Sequence, residues 1–238
     1  MWSTVAIADK CLLMHEPPTA PRSGVLFLLD EAAPPFIDPA FRSFIENSSH
    51  LWLFAFPEQA WWCDILHPPF HETISPADFA RQHCVDWLKK RIGSLSIALA
   101  GIGCGGQSAL KWAIQDPAGF PVVAAMDASV DLFEIHGLGH TLDAIYPTVE
   151  SLRQQSASLH LQSYPFSDAI WMAVSPDSVW HRGNDRLHEK LNVLGAAHTY
   201  ELHAGLPAEP RWFNAEMLKS LQMFLDSNLN KPLRRRLL

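Results

Sequence analysis

The chain has 238 residues, of which 48% are hydrophobic and 11% aromatic, with a formal net charge of −7 at pH 7. Its length and apolar content suit one large α/β domain better than two small ones, so we expect a single domain over residues 1–238. The acidic charge argues against a nucleic-acid surface, and no apolar run approaches the roughly 20 residues needed to span a bilayer.

The first residues, MWSTVAIADKCLLMHEPP, have neither the basic start nor the long apolar stretch of a secretion signal. The four cysteines lie far apart and form no CxxC pair, so we interpret them as reduced thiols: Cys11, Cys63, Cys84 and Cys104. Both features predict a cytoplasmic protein that does not bind membranes. The final residues, 229–238, are expected to form a solvated basic tail.

Apolar, β-rich runs alternate with amphipathic stretches along the chain. The predicted strands are 24–30, 50–57, 95–101, 121–127, 169–175 and 198–204, and the predicted helices are 76–92, 106–115, 183–194 and 212–227. The first of these helices follows Ser75 as N-cap, with Pro76 at its first position. The alternation predicts an α/β fold, with a mostly parallel, doubly wound sheet flanked by helices on both faces. We expect residues 128–168 to form an irregular excursion over the sheet.

The stretch AGIGCGG, residues 100–106, joins a predicted strand to a predicted helix. A dinucleotide fingerprint would need G-x-G-x-x-G near the first strand, and a P-loop would need Gly-Lys-Ser/Thr after the turn; neither is found. The nucleophile elbow G-x-S-x-G fits better, because its flanking glycines let strand and helix approach closely. In this register, Gly103 stands where the nucleophile belongs.

The segment GIGCGGQSALKWAIQDPAGFPVVAAMDASVDLFEIHG resembles α/β-hydrolase-fold esterases and dienelactone-hydrolase-like proteins, especially a planctomycete-type group. The resemblance continues through GVLFLLD, AWWCDILHPPF and SPDSVWHRGNDRLHEKLNVLGAAHTYEL, and it covers roughly residues 5–228. It implies an α/β-hydrolase fold, an esterase-like ancestry and no cofactor.

The resemblance also assigns the positions of the catalytic triad. Gly103 occupies the nucleophile position, Ala208 the histidine position, and Asp177 the position of the acid. Leu29-Asp30 stands where such families have a His-Gly pair, so a carboxylate would oppose an oxyanion there. Since two of three triad groups are missing, we predict a degenerate triad and a pseudoenzyme.

Two alternatives remain at this stage. In the first, the chain is an active carboxylic ester or dienelactone-type hydrolase in which Cys104 is the nucleophile, with His203 and Asp177 as partners. Against this, Cys104 lies one residue past the apex and can equally be a small buried thiol. In the second, the chain is a structural or interaction protein whose tryptophans form an interface.

Other residues are candidates for ligand binding. In the family's layout, the loop that carries Trp61, Trp62 and His67 lies near the mouth of the site, although it can equally be a hydrophobic lid. Asp30 and Trp180 are expected to line the same mouth. The ligand would be a small acyl or aromatic molecule, and the protein partner a second copy or an active paralogue. His136 and His140 have the spacing of a helical metal pair, but the intervening glycines oppose a helix, so we expect no metal site.

Overall fold

The computed structural model describes residues 1–30, 38–93, 96–162, 165–203 and 213–229. Its strands are β1 (Trp2–Ile7), β2 (Lys10–His15), β3 (Gly24–Leu28), β4 (Leu51–Ala55), β5 (Ile97–Ile102), β6 (Val122–Met126), β7 (Ala169–Val174) and β8 (Thr199–Leu202). They form one sheet in the order β1-β2-β4-β3-β5-β6-β7-β8. Pairs from β4 to β8 are parallel, whereas β1–β2 and β2–β4 are antiparallel. The predicted mostly parallel sheet is confirmed.

Helices cover both faces of the sheet. They are α1 (Pro39–Glu46), α2 (Pro76–Asp78), α3 (Val85–Ile92), α4 (Cys104–Gln115), α5 (Thr141–Ile145), α6 (Val149–Arg153), α7 (Ala157–His160), α8 (His181–Val193) and α9 (Ala215–Leu229). A π-helical stretch, Phe79–Cys84, joins α2 to α3. One face packs against α1 and α9, and the other against α3, α4 and α8. Within the described ranges, no helix has both the length and the apolar character needed to cross a membrane.

The predicted start of the helical segment at Ser75 is confirmed. Asp78 N donates to Ser75 Oγ at 3.1 Å, and Pro76 takes the first helical position. The segment ends at Gly93, whose φ of 61° is a left-handed conformation that favours glycine. Helix α1 begins in the same way, since the Asp38 side chain accepts from Ala40 N and Phe41 N, but this helix was not predicted from the sequence.

A tight hairpin at the start of the chain was also missed. Ile7 pairs with Lys10, so only Ala8 and Asp9 form the turn, with φ values of 43° and 64°. Positive φ at both central residues is typical of the turn that matches the right-handed twist of paired strands. The hairpin extends the sheet beyond β4 and adds an antiparallel edge.

Residues 128–168 are more regular than predicted, because they contain a 3₁₀ turn (Leu132–Ile135) and the short helices α5, α6 and α7. This excursion is fixed to α4 through the buried side chain of Gln107, which donates to Gln155 O at 2.6 Å and accepts from Ala157 N at 3.0 Å. Lys111 Nζ donates to the Gln155 side chain. Positions 163–164, like 230–238 of the predicted basic tail, lie outside the described residues.

Candidate functional site

A sharp turn joins β5 to α4 at the carboxyl edge of the sheet. Gly103, at its apex, has φ 57° and ψ −122°, a backbone conformation that costs an L side chain energy. The apex is held on two sides, since Gly103 N donates to Met126 O, and Gly103 O accepts from Gln107 N and Ser129 N, each at 3.0 Å. A strained strand-to-helix turn of this kind presents the nucleophile in G-x-S-x-G sites. In this chain the residue at the apex is glycine, so the turn presents no side chain.

Two flanking glycines are required by close approach. A Cβ on Gly105 would lie 2.1 Å from Leu28 O, and a Cβ on Gly101 would lie 2.4 Å from the carbonyl carbon of Gly105. Since both distances are far below van der Waals contact, only glycine lets α4 lie directly against β3 and β5. The G-x-G-x-G spacing of this turn therefore has a steric cause.

The Cys104 side chain points away from the edge of the sheet and into the core. The residue has 0% exposure and belongs to the apolar cluster on the face covered by α4. Its Sγ lies 3.9 Å from Leu29 O. A thiol in this position packs as a small apolar group, and a substrate has no direct path to it.

His203 extends from the end of β8 on the other face of the sheet. It follows Glu201 by two residues, and Glu201 aligns with Ala173, so both side chains share the α9 face. His203 Nε2 donates to Glu201 Oε2 at 2.9 Å. Three strand spacings separate β5 from β8, about 14 Å. The structure therefore does not bring His203 to Cys104.

Glu201 is the group that orients this histidine. Its carboxylate also accepts a hydrogen bond from Ser220 on α9. Burial alone would raise the pKa of Glu201, but the hydrogen bonds from Ser220 and His203 hold it below its ordinary value. This contact was not predicted, although two polar residues that alternate with an apolar one at the end of a strand were a usable signal in the sequence.

Asp177 lies in an exposed turn after β7. Its backbone N–H donates to Ser175 Oγ at 3.2 Å, and in the described part of the chain its carboxylate has no hydrogen-bond or ion-pair partner. Ala208 lies outside the described residues. The structure therefore places the predicted nucleophile position at a strained apex and the predicted acid in solvent, with His203 held by a different carboxylate.

Carboxylates follow several strands at this edge of the sheet. Asp30 follows β3, and Asp127 follows β6 with a positive φ of 46°. Asp127 N donates to Ala173 O at 2.8 Å, which fixes its backbone beside the Gly103 turn. Asp127 was missed in the sequence analysis; an acidic residue directly after a buried parallel strand was the signal.

The residues predicted to line the mouth of the site differ in exposure: Trp62 is buried in the fold, whereas Trp61 is partly accessible to solvent. Trp62 is buried, its Nε1–H donates to Leu29 O at 2.8 Å, and its ring packs edge-to-face on Trp112. It therefore stabilises the chain at the end of β3 and is not available to contact a ligand. Trp61 is half-buried, and its Nε1 donates to Thr141 Oγ1 at 3.0 Å, which ties the loop to the excursion. Both tryptophans have left-handed backbone, with φ of 51° and 57°.

Among the other predicted mouth residues, His67 and Trp180 are both half-buried. The backbone carbonyl of His67 accepts from Phe70 N at 2.8 Å, whereas Trp180 O accepts from Asn184 at the start of α8. A cavity of about 320 Å³ is located elsewhere, at the far end of α4 between Ile114 and Phe166. It lies a full helix length from the Gly103 turn.

A serine–histidine–aspartate set does occur at the opposite edge of the sheet. Ser23 Oγ and His50 Nδ1 lie 2.6 Å apart, and His50 Nε2 lies 3.0 Å from Asp226 Oδ1 in an ion-pair contact without good hydrogen-bond alignment. Ser23 and His50 are 3% and 2% exposed. Burial lowers the pKa of His50, and Asp226 only partly opposes this. The set joins β3 and β4 to α9 and is inaccessible to substrate.

Comparisons with solved structures agree on the fold. An S-formylglutathione hydrolase from Agrobacterium tumefaciens has a TM-score of 0.72 at 12% identity, covering 96% of this chain and 94% of that one. A ferulic acid esterase gives 0.70 at 13% identity, with 96% of both chains covered. The fluorophosphonate-binding serine hydrolase FphF of Staphylococcus aureus gives 0.66 at 9% identity, covering 97% and 99%.

No family model matches the chain, and no curated protein sequence is significantly similar to it. The structural likeness establishes the α/β-hydrolase fold that the sequence predicted. At these identities it establishes the fold alone.

Proposed function

We propose that this chain is an esterase-like α/β-hydrolase homologue that no longer hydrolyses esters and that binds a ligand at the carboxyl edge of its sheet. The observation that carries the proposal is Gly103, which has the backbone conformation of a nucleophile elbow and no side chain. Acyl transfer needs an attacking atom at this apex, and glycine offers none.

The arrangement around the apex supports the same proposal. The Cys104 thiol is buried on one face of the sheet, whereas the His203 imidazole is held by Glu201 on the other. Asp30 and Asp127 follow β3 and β6 at the same edge of the sheet, and a carboxylate that faces the apex would oppose an oxyanion rather than stabilise it. Each feature reduces the transition-state stabilisation that hydrolysis would require.

The ligand in this proposal is a small acyl or aromatic molecule. The half-buried side chains of Trp61, His67 and Trp180 would contact it, because aromatic groups of intermediate exposure combine apolar area with a polar atom. The protein acts in the cytoplasm, alone, as a homo-oligomer or beside an active paralogue. It binds neither nucleic acid nor membranes.

Hydrolysis of short-chain p-nitrophenyl esters and thioesters tests the proposal. The purified proteins are wild type, Cys104→Ala, Gly103→Ser, and Gly103→Ser combined with Ala208→His. We expect no turnover above background by wild type and Cys104→Ala. Turnover by wild type that disappears in Cys104→Ala would overturn the proposal and make Cys104 the nucleophile.

The double variant reports on the shape of the site. Turnover in the double variant that exceeds that of Gly103→Ser would mean that the pocket still orients an acyl group toward the apex. Thermal unfolding of each variant excludes misfolding as the cause of inactivity. Wild-type turnover that persists in Cys104→Ala would also overturn the proposal, because it would require another nucleophile or an activated water.

A further inference from the structure

Two histidines outside the candidate site face each other directly. His188 lies on α8, and His198 lies ten residues later in the connection to β8. His188 Nδ1 and His198 Nε2 are 2.7 Å apart, and the rings are tilted by 66°. Both side chains are half-buried at the surface, so small solutes reach them. Sequence spacing gave no signal, because the two residues meet only through the α8–β8 connection.

The remaining ring nitrogens are both held by polar groups. His198 Nδ1 donates to Ala196 O at 2.8 Å, so its Nε2 carries the lone pair. Asn192, one helical turn later, donates from its amide Nδ2 to His188 Nε2 at 3.1 Å, so in this rotamer His188 carries its proton on Nδ1. Rotating this amide by half a turn brings its oxygen to Nε2, which then donates and leaves the lone pair on Nδ1. The two lone pairs then face each other.

We propose that His188 Nδ1 and His198 Nε2 bind one divalent transition-metal ion, and that the proton of His188 moves from Nδ1 to Nε2 when the ion binds. Histidine ligands of metals usually donate their other ring N–H to a carbonyl or carboxylate. Ala196 O is such an acceptor for His198, and Asn192 Oδ1 becomes one for His188 once its amide has rotated. The two imidazoles bind the ion directly, and these two carbonyl groups set their tautomers.

The nitrogen separation favours a tetragonal ion. With metal–nitrogen bonds of about 2.0 Å, adjacent ligands of a square-planar ion lie about 2.8 Å apart, whereas tetrahedral ligands lie about 3.3 Å apart. The observed 2.7 Å is close to the first value. Cu²⁺ and Ni²⁺ therefore bind with almost no change in the nitrogen separation, whereas Zn²⁺ requires the nitrogens to separate by about 0.6 Å.

The surroundings fix one ring of the pair. The Tyr200 ring stacks on His188, with centroids 4.4 Å apart and planes within 20°. Burial, together with the nearby Asp185 carboxylate, raises the pKa of Tyr200 to about 12, so its hydroxyl stays protonated beside the pair. In the described part of the chain, no group of three His, Cys, Asp or Glu side chains forms a metal cage. Water completes the coordination, and the site is open.

Copper titration of the full chain tests the proposal. CuCl₂ is added to metal-free wild type, His188→Ala, His198→Ala and the control His140→Ala, which removes an exposed histidine elsewhere. Calorimetry gives the affinity of the tightest site, and electron paramagnetic resonance counts its nitrogen ligands. We expect one Cu²⁺ with two imidazole nitrogens in wild type and in the control, and at least tenfold weaker binding in either single variant.

Nickel and zinc titrations complete the test, with Cu²⁺ expected to bind more tightly than either. Asn192→Ala keeps both histidine ligands and alters only an exposed residue, so it replaces the histidine variants in the test if those unfold. We expect Asn192→Ala to bind Cu²⁺ about tenfold more weakly than wild type. Equal affinity in wild type, His188→Ala and His198→Ala would overturn the proposal. So would a copper signal that His140→Ala removes.

Discussion

Substituting Gly105 by alanine tests the packing that makes the turn at Gly103 possible. Two effects oppose each other. Inside a helix, alanine is more favourable than glycine by about 1 kcal/mol, so propensity alone predicts a more stable protein. The new Cβ, however, would lie 2.1 Å from Leu28 O and 2.9 Å from Leu28 Cβ, and both atoms belong to a fully buried strand.

Relieving this overlap requires α4 to move away from β3 by about 1 Å, and overpacking of this kind costs about 3 kcal/mol or more. The net loss is then about 2 kcal/mol, which corresponds to a Tm lower by about 4–8 °C in a protein of this size. The control is Gly106→Ala, whose Cβ would come no closer than 3.1 Å to its nearest neighbour, Gly101 O, with the Ala128 Cβ at 3.2 Å. We expect the control to change Tm by less than about 3 °C.

Thermal and urea unfolding of wild type and both variants provide the measurement. A Gly105→Ala variant as stable as wild type, or more stable than Gly106→Ala, would refute the close contact between α4 and β3. Such a result would also count against the strained backbone at Gly103, since the same contact between α4 and β3 positions the first turn of the helix.

Three further predictions concern stability and accessibility. Gln107→Ala leaves the buried Ala157 N and the half-buried Gln155 O without this partner and should lower the free energy of unfolding by about 2–4 kcal/mol. Gln115→Ala, at the helix end, should cost under about 1 kcal/mol, and urea unfolding compares the two variants. Since burial lowers the pKa of His50, the unfolded state binds more protons, and stability should fall as pH drops below about 6.5. This loss between pH 7.5 and 5.5 should be smaller in His50→Gln, and an equal loss would contradict the assignment. With DTNB, exposed Cys11 should react rapidly in the native protein and Cys104 only after unfolding; equal rates would show that Cys104 is accessible.

Burial and periodicity explain which parts of the fold were predictable from the sequence. The strand 24–28 is apolar at nearly every position because it is covered on both faces, and such a run is easy to recognise. Strand β1 is mostly exposed and ends in an Ala-Asp turn that carries no glycine or asparagine, so neither its pattern nor its turn gave a signal. The fold was therefore predicted at its centre and missed at its edge.

Some parts of the candidate site were predictable from the sequence and others were not. Gly103 was predictable because a glycine-rich turn between a strand and a helix has a local sequence signature. Contacts between distant positions have none: Glu201 with Ser220 depends on how α9 packs on the sheet, and His188 with His198 depends on the length of a connection. Those contacts follow from three-dimensional packing, which local propensity does not encode.

Glycine at the apex also affects how this protein tolerates mutation. A serine with φ 57° and ψ −122° would hold about 1–3 kcal/mol of conformational strain, which an active enzyme retains because catalysis requires it. Glycine adopts this conformation without that cost, so a chain with glycine at the apex is more stable there than one with serine. A domain with this additional stability accepts more destabilising substitutions before it falls below the threshold for folding.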